Sequence, residues 1–298
     1  MKRILVSGSS GFVGTALCQH LAACGYQVLR LVRRPAQSES EIFWDPAAGS
    51  IDSSKLNHLH SVVHLAGENI ASGRWTTARK KIIQDSRVKS TALLAHALAT
   101  ASAPPESFVS ASAVGIYGNR GTLECGEDTA PGQGFLSETA IAWEAAAVTA
   151  QKAGIRVVTP RIGIVLAWNG GALQRMKLPF SLGLGGRLGA GTQFMSWISL
   201  HDLVRLIQFC IENREVAGPV NAVSPQPVTN ADFTQTLAAH LKRPALFPAP
   251  ACVLRLLLGQ FADEALLSST RAIPLKLHSL GFQFNDQTLT SAFGRQQK

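Results

Sequence analysis

The stretch Ile4-Leu5-Val6-Ser7-Gly8-Ser9-Ser10-Gly11-Phe12-Val13-Gly14 decides the fold, because three apolar residues run straight into a GxxGxxG turn and an apolar-patterned segment follows over residues 11–23. Strand, glycine turn and helix in that order make the phosphate-cradling start of a βαβ unit. Gly8 permits the tight turn, Gly11 lets the backbone approach a pyrophosphate, and Gly14 lets the helix lie close against the sheet. The amides of Ser10, Gly11, Phe12, Val13 and Gly14 then donate to phosphate oxygens at the positive end of the helix dipole. Glycines at this spacing also occur in plain turns, and a degenerate fold that kept the turn without a ligand is the competing reading. Placement between a strand and a helix favours a dinucleotide.

The second apolar run, residues 28–32, ends in Arg33-Arg34-Pro35, and no acid appears until Glu39. A carboxylate at this point would suit the ribose hydroxyls of NAD, whereas NADP needs positive charge beside its extra phosphate. Arg33 is the leading contact to a 2′-phosphate and Arg34 a second, through the bidentate fork of a guanidinium. The alternative is an exposed arginine pair with no ligand. Leu65-Ala66-Gly67 closes a further run at residues 61–65 and leaves room for the adenosine or ribose, just beyond the carboxyl end of a strand. His64, inside that apolar run, reads as a structural histidine.

Outward from here the pattern repeats. Short apolar runs at 4–6, 28–32, 61–65, 107–110 and 157–159 alternate with candidate helices at 11–23, 76–100 and 138–153. Such runs suit strands buried on both faces of a parallel sheet, and the helices are long enough to be crossovers. Residues 42–44 form a weaker strand. After Trp168 the alternation lapses, and glycines at 170–171 and from 183 to 191 mark a long loop region. A helix at 201–213, a strand at 219–223, helices at 229–241 and 249–257, a segment at 274–280 and a closing helix after Asp286 complete the chain. The expected fold is α/β: a Rossmann-type parallel sheet flanked by helices, with a smaller, mostly helical C-terminal substrate lobe. The expected division is a dinucleotide-binding core at 1–165, mixed substrate loops and returning core elements at 166–228, and a lobe at 229–298.

The 298 residues are 46% hydrophobic and 16% charged, the balance of a packed globular protein. A formal charge of +9 would steer phosphate-bearing ligands, or simply reflect a basic surface. The basic residues are scattered, so nucleic acid is not an expected partner. Five cysteines, mostly far apart, argue against a disulfide framework and for a reduced, cytoplasmic protein. The apolar start is cut short by the glycine turn, so no signal core forms, and no run of 18 apolar residues predicts a membrane span. No His-x-x-x-His, Cys-x-x-Cys or paired-carboxylate arrangement predicts a metal.

With these elements placed, the chain resembles the extended short-chain dehydrogenase/reductase superfamily, and more closely the branch called "epimerase family protein" with its own C-terminal domain. The resemblance is carried by GSSGFVG at 8–14, HLAGENIASGRWT at 64–76, SRVKST at 86–91, SASAVGIYG at 110–118, WEAAA at 143–147, SWISLHD at 196–202 and ADEALLSSTRAIPLKLHSLGF at 262–282. It implies a serine or threonine ending the fifth strand, here Ser112, and a Tyr-x-x-x-Lys pair on the following helix. Counting back from Glu144 puts Leu136 and Ala140 at those two positions. Neither titrates, so tyrosinate-assisted proton transfer cannot run there.

Replacement candidates are Tyr117, more simply a packing residue, and Glu138, more simply a carboxylate suiting a helix start. Arg87 stands where extended members often carry asparagine, positioned to clamp the cofactor or an anionic substrate. Arg74 with Trp75, Arg161, Arg187 in the glycine-rich loop and Trp197 are substrate-side candidates. Asp202 reads as a helix N-cap and His201 as a pocket residue. The expected function is that of an NADP-binding oxidoreductase or epimerase-like enzyme acting on a small polar molecule, an anion among the candidates. The rival is a catalytically silent NADP-binding sensor or scaffold. The sequence is compatible with a monomer or an oligomer.

Overall fold

The computed structural model describes residues 1–295; residues 296–298 of the expected C-terminal lobe lie outside the described residues. Seven parallel strands form the main sheet: β1 (Arg3–Ser7), β2 (Gln27–Val32), β3 (Glu41–Asp45), β4 (Ser61–His64), β5 (Ser107–Ser110), β6 (Arg156–Ile162) and β7 (Gly218–Ala222). Their spatial order is β7-β6-β5-β4-β1-β2-β3, with a short antiparallel strand at Ser50–Ile51 beyond β3 and Ser112–Ala113 paired to β6. The order reverses between β1 and β4, and ligands of open parallel sheets bind at such a switch point.

Period-two alternation explains why both sheet faces are apolar. On one face Ile4, Val6, Val63 and Val109 join a core with helices α1 (Phe12–Ala23) and Leu200–Glu212. On the other face Leu5, Leu29, Val62 and Phe108 pack on α2 (Thr77–Ala99), whose Leu94 and Leu98 are fully buried. Thr76 caps α2, its hydroxyl accepting from the Arg79 amide at 3.1 Å.

A separate core of Leu166, Leu173, Phe180, Trp197, Phe233 and Phe293 holds the later segments together. All five cysteines are free, and Cys18 is a small buried hydrophobe. Among the described residues no helix is long and apolar enough to cross a membrane.

Three local expectations need correction. The glycine-rich region read as one long loop contains an eleven-residue helix, Gly171–Ser181, held by buried Leu173 and Phe180. Its glycines serve close approach: a Cβ on Gly170 would fall 2.3 Å from the Phe12 ring. The helix expected at 138–153 begins earlier and divides into α3 (Phe135–Ala145) and Val148–Lys152. The N-cap expected at Asp202 is Ser199, whose hydroxyl accepts from the Asp202 amide. Asp202 is instead fully buried and accepts from the Asn285 and Asp286 amides at 3.1 and 2.7 Å while pairing with Arg205.

Candidate functional site

The glycine turn is built by contacts that only hydrogen side chains allow. Gly8 has φ +66°, and a Cβ there would lie 2.8 Å from the Leu65 carbonyl carbon. A Cβ on Gly14 would fall 2.1 Å from the Gly8 oxygen, so the close approach of α1 is to the turn itself. Gly11 donates to the Gly8 oxygen at 2.9 Å and caps α1 with no side-chain acceptor, and the first turn has no acid. That leaves the amides of the first turn without a side-chain cap at the positive end of the helix. Ser10 is exposed, and Phe12 and Val13 are half-buried beside it.

Beneath the turn, one hydrogen-bonded chain ties three elements together. Ser90 donates its one hydroxyl proton to the Ser86 carbonyl at 2.6 Å, so it accepts from His64 Nε2–H at 3.1 Å. That fixes the tautomer: His64 Nδ1 accepts the Ser7 hydroxyl proton at 2.6 Å, and the Ser7 oxygen accepts from the Leu65 amide at 3.2 Å. His64 is fully buried, and burial pulls its pKa down to about 3, so the ring is neutral and structural.

At the end of β2 the two arginines part company. Arg33 is exposed and makes no hydrogen bond or ion pair among the described residues. Arg34 is committed to Glu41, with Nη1 and Nη2 at 2.8 and 2.6 Å from the two carboxylate oxygens. Those bonds raise the arginine's pKa and hold the carboxyl below its usual range.

Beyond the strand ends lies a cavity of about 480 Å³, and Ser112, Leu136 and Ala140 all line it. The three superfamily positions therefore meet, with two of them aliphatic. Further walls come from Ile83, Ile164, Met195, Phe233 and Phe261, and the charged side chains among the lining residues are Arg87 and Glu264. Arg87 donates to the Ile83 carbonyl at 3.0 Å and stacks 5.1 Å from the Trp143 ring centre. Burial lowers its pKa to about 10, which leaves it cationic at neutral pH. Asp85 does not reach it, pairing with Lys81 and Lys89 instead.

The Ser112 hydroxyl donates to Glu144 at 2.7 Å. Arg161 grips the same carboxylate with Nε and Nη2 at 2.8 and 3.0 Å and donates from Nη1 to the Tyr117 hydroxyl and the Glu127 carbonyl. Burial alone would lower the Arg161 pKa, but the bonds and charge of Glu144 outweigh it and hold the guanidinium above its ordinary value. The Tyr117 hydroxyl donates to Asn221 at 2.7 Å, and burial raises its pKa. Tyr117 and Arg161 thus stand behind the cavity as support for Glu144.

Other candidates sit elsewhere. Glu138 is exposed on α3 and is not among the lining residues. Arg74 is exposed against Gly259. Trp75 is buried between Phe135 and Phe261 at 5.0 and 5.5 Å, one layer behind the wall. Arg187 is exposed, while its neighbour Leu188 lines the cavity. Trp197 is fully buried in the later core, its indole donating to the Gln226 carbonyl. His201 meets Asn285 and is outside the lining. No cluster of metal-ligating side chains occurs among the described residues.

Two residues escaped the sequence reading. Glu144 served it only as a landmark, although its spacing to Ser112 across a strand and helix was the available signal. Glu264 caps α3 from a distant segment, accepting from the Phe135 and Leu136 amides at 3.2 and 2.8 Å. No local pattern announces such a contact.

A glycine-turn Rossmann sheet with a cavity beyond the ends of its later strands defines a nucleotide-binding protein of the short-chain dehydrogenase/reductase type. Residues 4–223 match the model of the NAD dependent epimerase/dehydratase family, and the chain belongs to that family. Residues 249–295 match a domain of unknown function, DUF1731. The chain is 44% identical over 291 residues to Epimerase family protein Mb2239 of Mycobacterium bovis, spanning 98% of this chain and 96% of that protein. It is 39% identical over 293 residues to human Epimerase family protein SDR39U1, spanning 97% and 98%. The crystal structure of human epimerase family protein SDR39U1 (isoform2) with NADPH superposes with a TM-score of 0.90 at 37% identity, over 98% of each chain.

Proposed function

We propose that this chain binds NADP and acts as an oxidoreductase or epimerase-like enzyme on a small molecule held beside Ser112. One observation carries the reading: Ser112 lines the cavity and is hydrogen-bonded to a carboxylate that Arg161 holds in place. The glycine crevice fits a dinucleotide, since added Cβ atoms at Gly8 and Gly14 would collide with backbone and the first α1 amides have no side-chain cap. A relative of 37% identity crystallised with NADPH supports the choice of nucleotide.

When bound, the nucleotide supplies hydride exchange at its nicotinamide ring. The amides from Ser10 to Gly14 would hold the pyrophosphate, with Leu65, Ala66 and Gly67 as the opposite wall. Arg33 would meet the 2′-phosphate, because Arg34 is already engaged by Glu41. Ser112 gives its proton to Glu144 and so turns lone pairs toward the cavity, where it accepts a hydrogen bond from a substrate hydroxyl. As that hydroxyl loses its proton to Ser112, the serine proton passes to the carboxylate. Leu136 and Ala140 take no part in the transfer.

The test is a screen of NADPH oxidation, followed by nicotinamide absorbance, against carbonyl and sugar-nucleotide compounds. Turnover of at least one carbonyl compound is expected, with Ser112→Ala slower by about 100-fold at unchanged NADPH affinity. Nucleotide binding without turnover across the panel would move the reading to a sensor, the alternative that Leu136 and Ala140 favour.

A further inference from the structure

The cavity walls specify a kind of ligand. A guanidinium has five N–H donors, and Arg87 spends one on the Ile83 carbonyl. It forms no ion pair among the described residues, and the Trp143 ring covers it at 5.1 Å. Arg87 is half-buried, and Glu68, the acid that acts on it through space, is itself paired with Arg79 at 3.1 Å, so the remaining guanidinium donors are left for an anion. Glu264, the other charged side chain in the wall, cannot serve, because its oxygens already accept from the Phe135 and Leu136 amides and from the Gln260 amide.

Most of the rest of the lining is apolar. Ile83, Ile164, Met176, Phe194, Phe233 and Phe261 offer no hydrogen bond to a sugar or a ribose. A nucleoside diphosphate sugar would bring two phosphates and a set of hydroxyls against one cation and these side chains, at the cost of stripping water from each unpaired group. An apolar body loses nothing there and gains from burial. Asn230, Ser196 and Thr270 in the wall are already bonded within the protein, which leaves the Ser268 hydroxyl and the Thr139 hydroxyl, the latter buried with no hydrogen-bond partner, as further polar partners.

We propose that the ligand of this cavity is a compact amphiphilic monoanion, with an apolar body, one carboxylate bound by Arg87, and a hydroxyl or carbonyl that meets Ser112. As a substrate assignment it rests on the NADP reading above; as a binding assignment it stands by itself.

Calorimetric titrations with octanoate, octanamide and UDP-glucose, run on the protein with and without saturating NADPH, test it. Octanoate should bind about tenfold more tightly than octanamide, the contribution of a charge-assisted hydrogen bond. Arg87→Met should bring the two within about threefold by weakening octanoate alone, and Arg87→Lys should keep part of the preference. A melting curve for each variant separates this from misfolding. UDP-glucose binding more tightly than octanoate, no octanoate binding, or a preference that survives Arg87→Met would overturn the proposal. So would an Arg87→Met variant that loses NADPH as steeply as octanoate, since Arg87 would then serve the nucleotide. Selection of octanoate through Arg87 by a protein that ignores NADPH would uphold the ligand class and sink the NADP reading.

Discussion

At the scale of single residues, the proposed chemistry turns on a carboxylate that touches the cavity only through a serine. Glu144 is a positioning residue: it orients the Ser112 hydroxyl and is itself held by two nitrogens of Arg161. Glu144→Gln keeps the side-chain shape and removes the proton acceptor. In the oxidative direction the variant should lose kcat by about 100-fold with little change in KM and an unchanged melting temperature, and Glu144→Asp should recover part of the rate. A purely structural role would lower the melting temperature and leave no such split between kcat and KM. Ser112, Leu136 and Ala140 were legible because motif spacing places them. The roles of Tyr117 and Arg161 were not legible, since nothing local shows that the phenol turns to Asn221 and the guanidinium to Glu144.

At the scale of elements, the strands and crossovers were legible wherever apolar alternation was strong. β1, β2, β4 and β5 fall on the expected runs to within a residue or so. Helix limits set by distant partners were not: α3 starts at Phe135 because Glu264 satisfies its first amides, and Gly171–Ser181 is helical because its buried side chains outweigh a glycine start and Pro179. The joint between β1, β4 and α2 makes a pH-dependent contribution. The folded pKa of His64, about 3, lies below the unfolded value near 6.5, so only the unfolded chain takes up a proton there as pH falls. Stability is therefore lost from about pH 6.5 downward until the folded ring titrates, with a loss of about 2 kcal/mol at pH 5. Melting at pH 7.5 and pH 5 should show the wild type losing more stability than His64→Asn; equal losses would assign the effect elsewhere.

At the scale of the whole molecule, one half presents a nucleotide crevice at the reversal between β1 and β4, and later segments contribute Met195, Asn230, Phe233 and Phe261 to the cavity beside it. The α/β class and the crevice followed from a single turn and its surroundings, while the cavity wall draws on positions from 70 to 270 and took the folded chain to see. The claim beneath everything else is electrostatic: uncapped amides after Gly8 hold a pyrophosphate and Arg33 selects the phosphorylated ribose. Equilibrium titration of NADPH and NADH by nicotinamide fluorescence, on the wild type and Arg33→Ala, tests it most directly. The wild type should prefer NADPH, and Arg33→Ala should weaken NADPH by about tenfold with NADH changed by less than about threefold. Equal weakening of both nucleotides, or no binding of either by the wild type, would contradict the account.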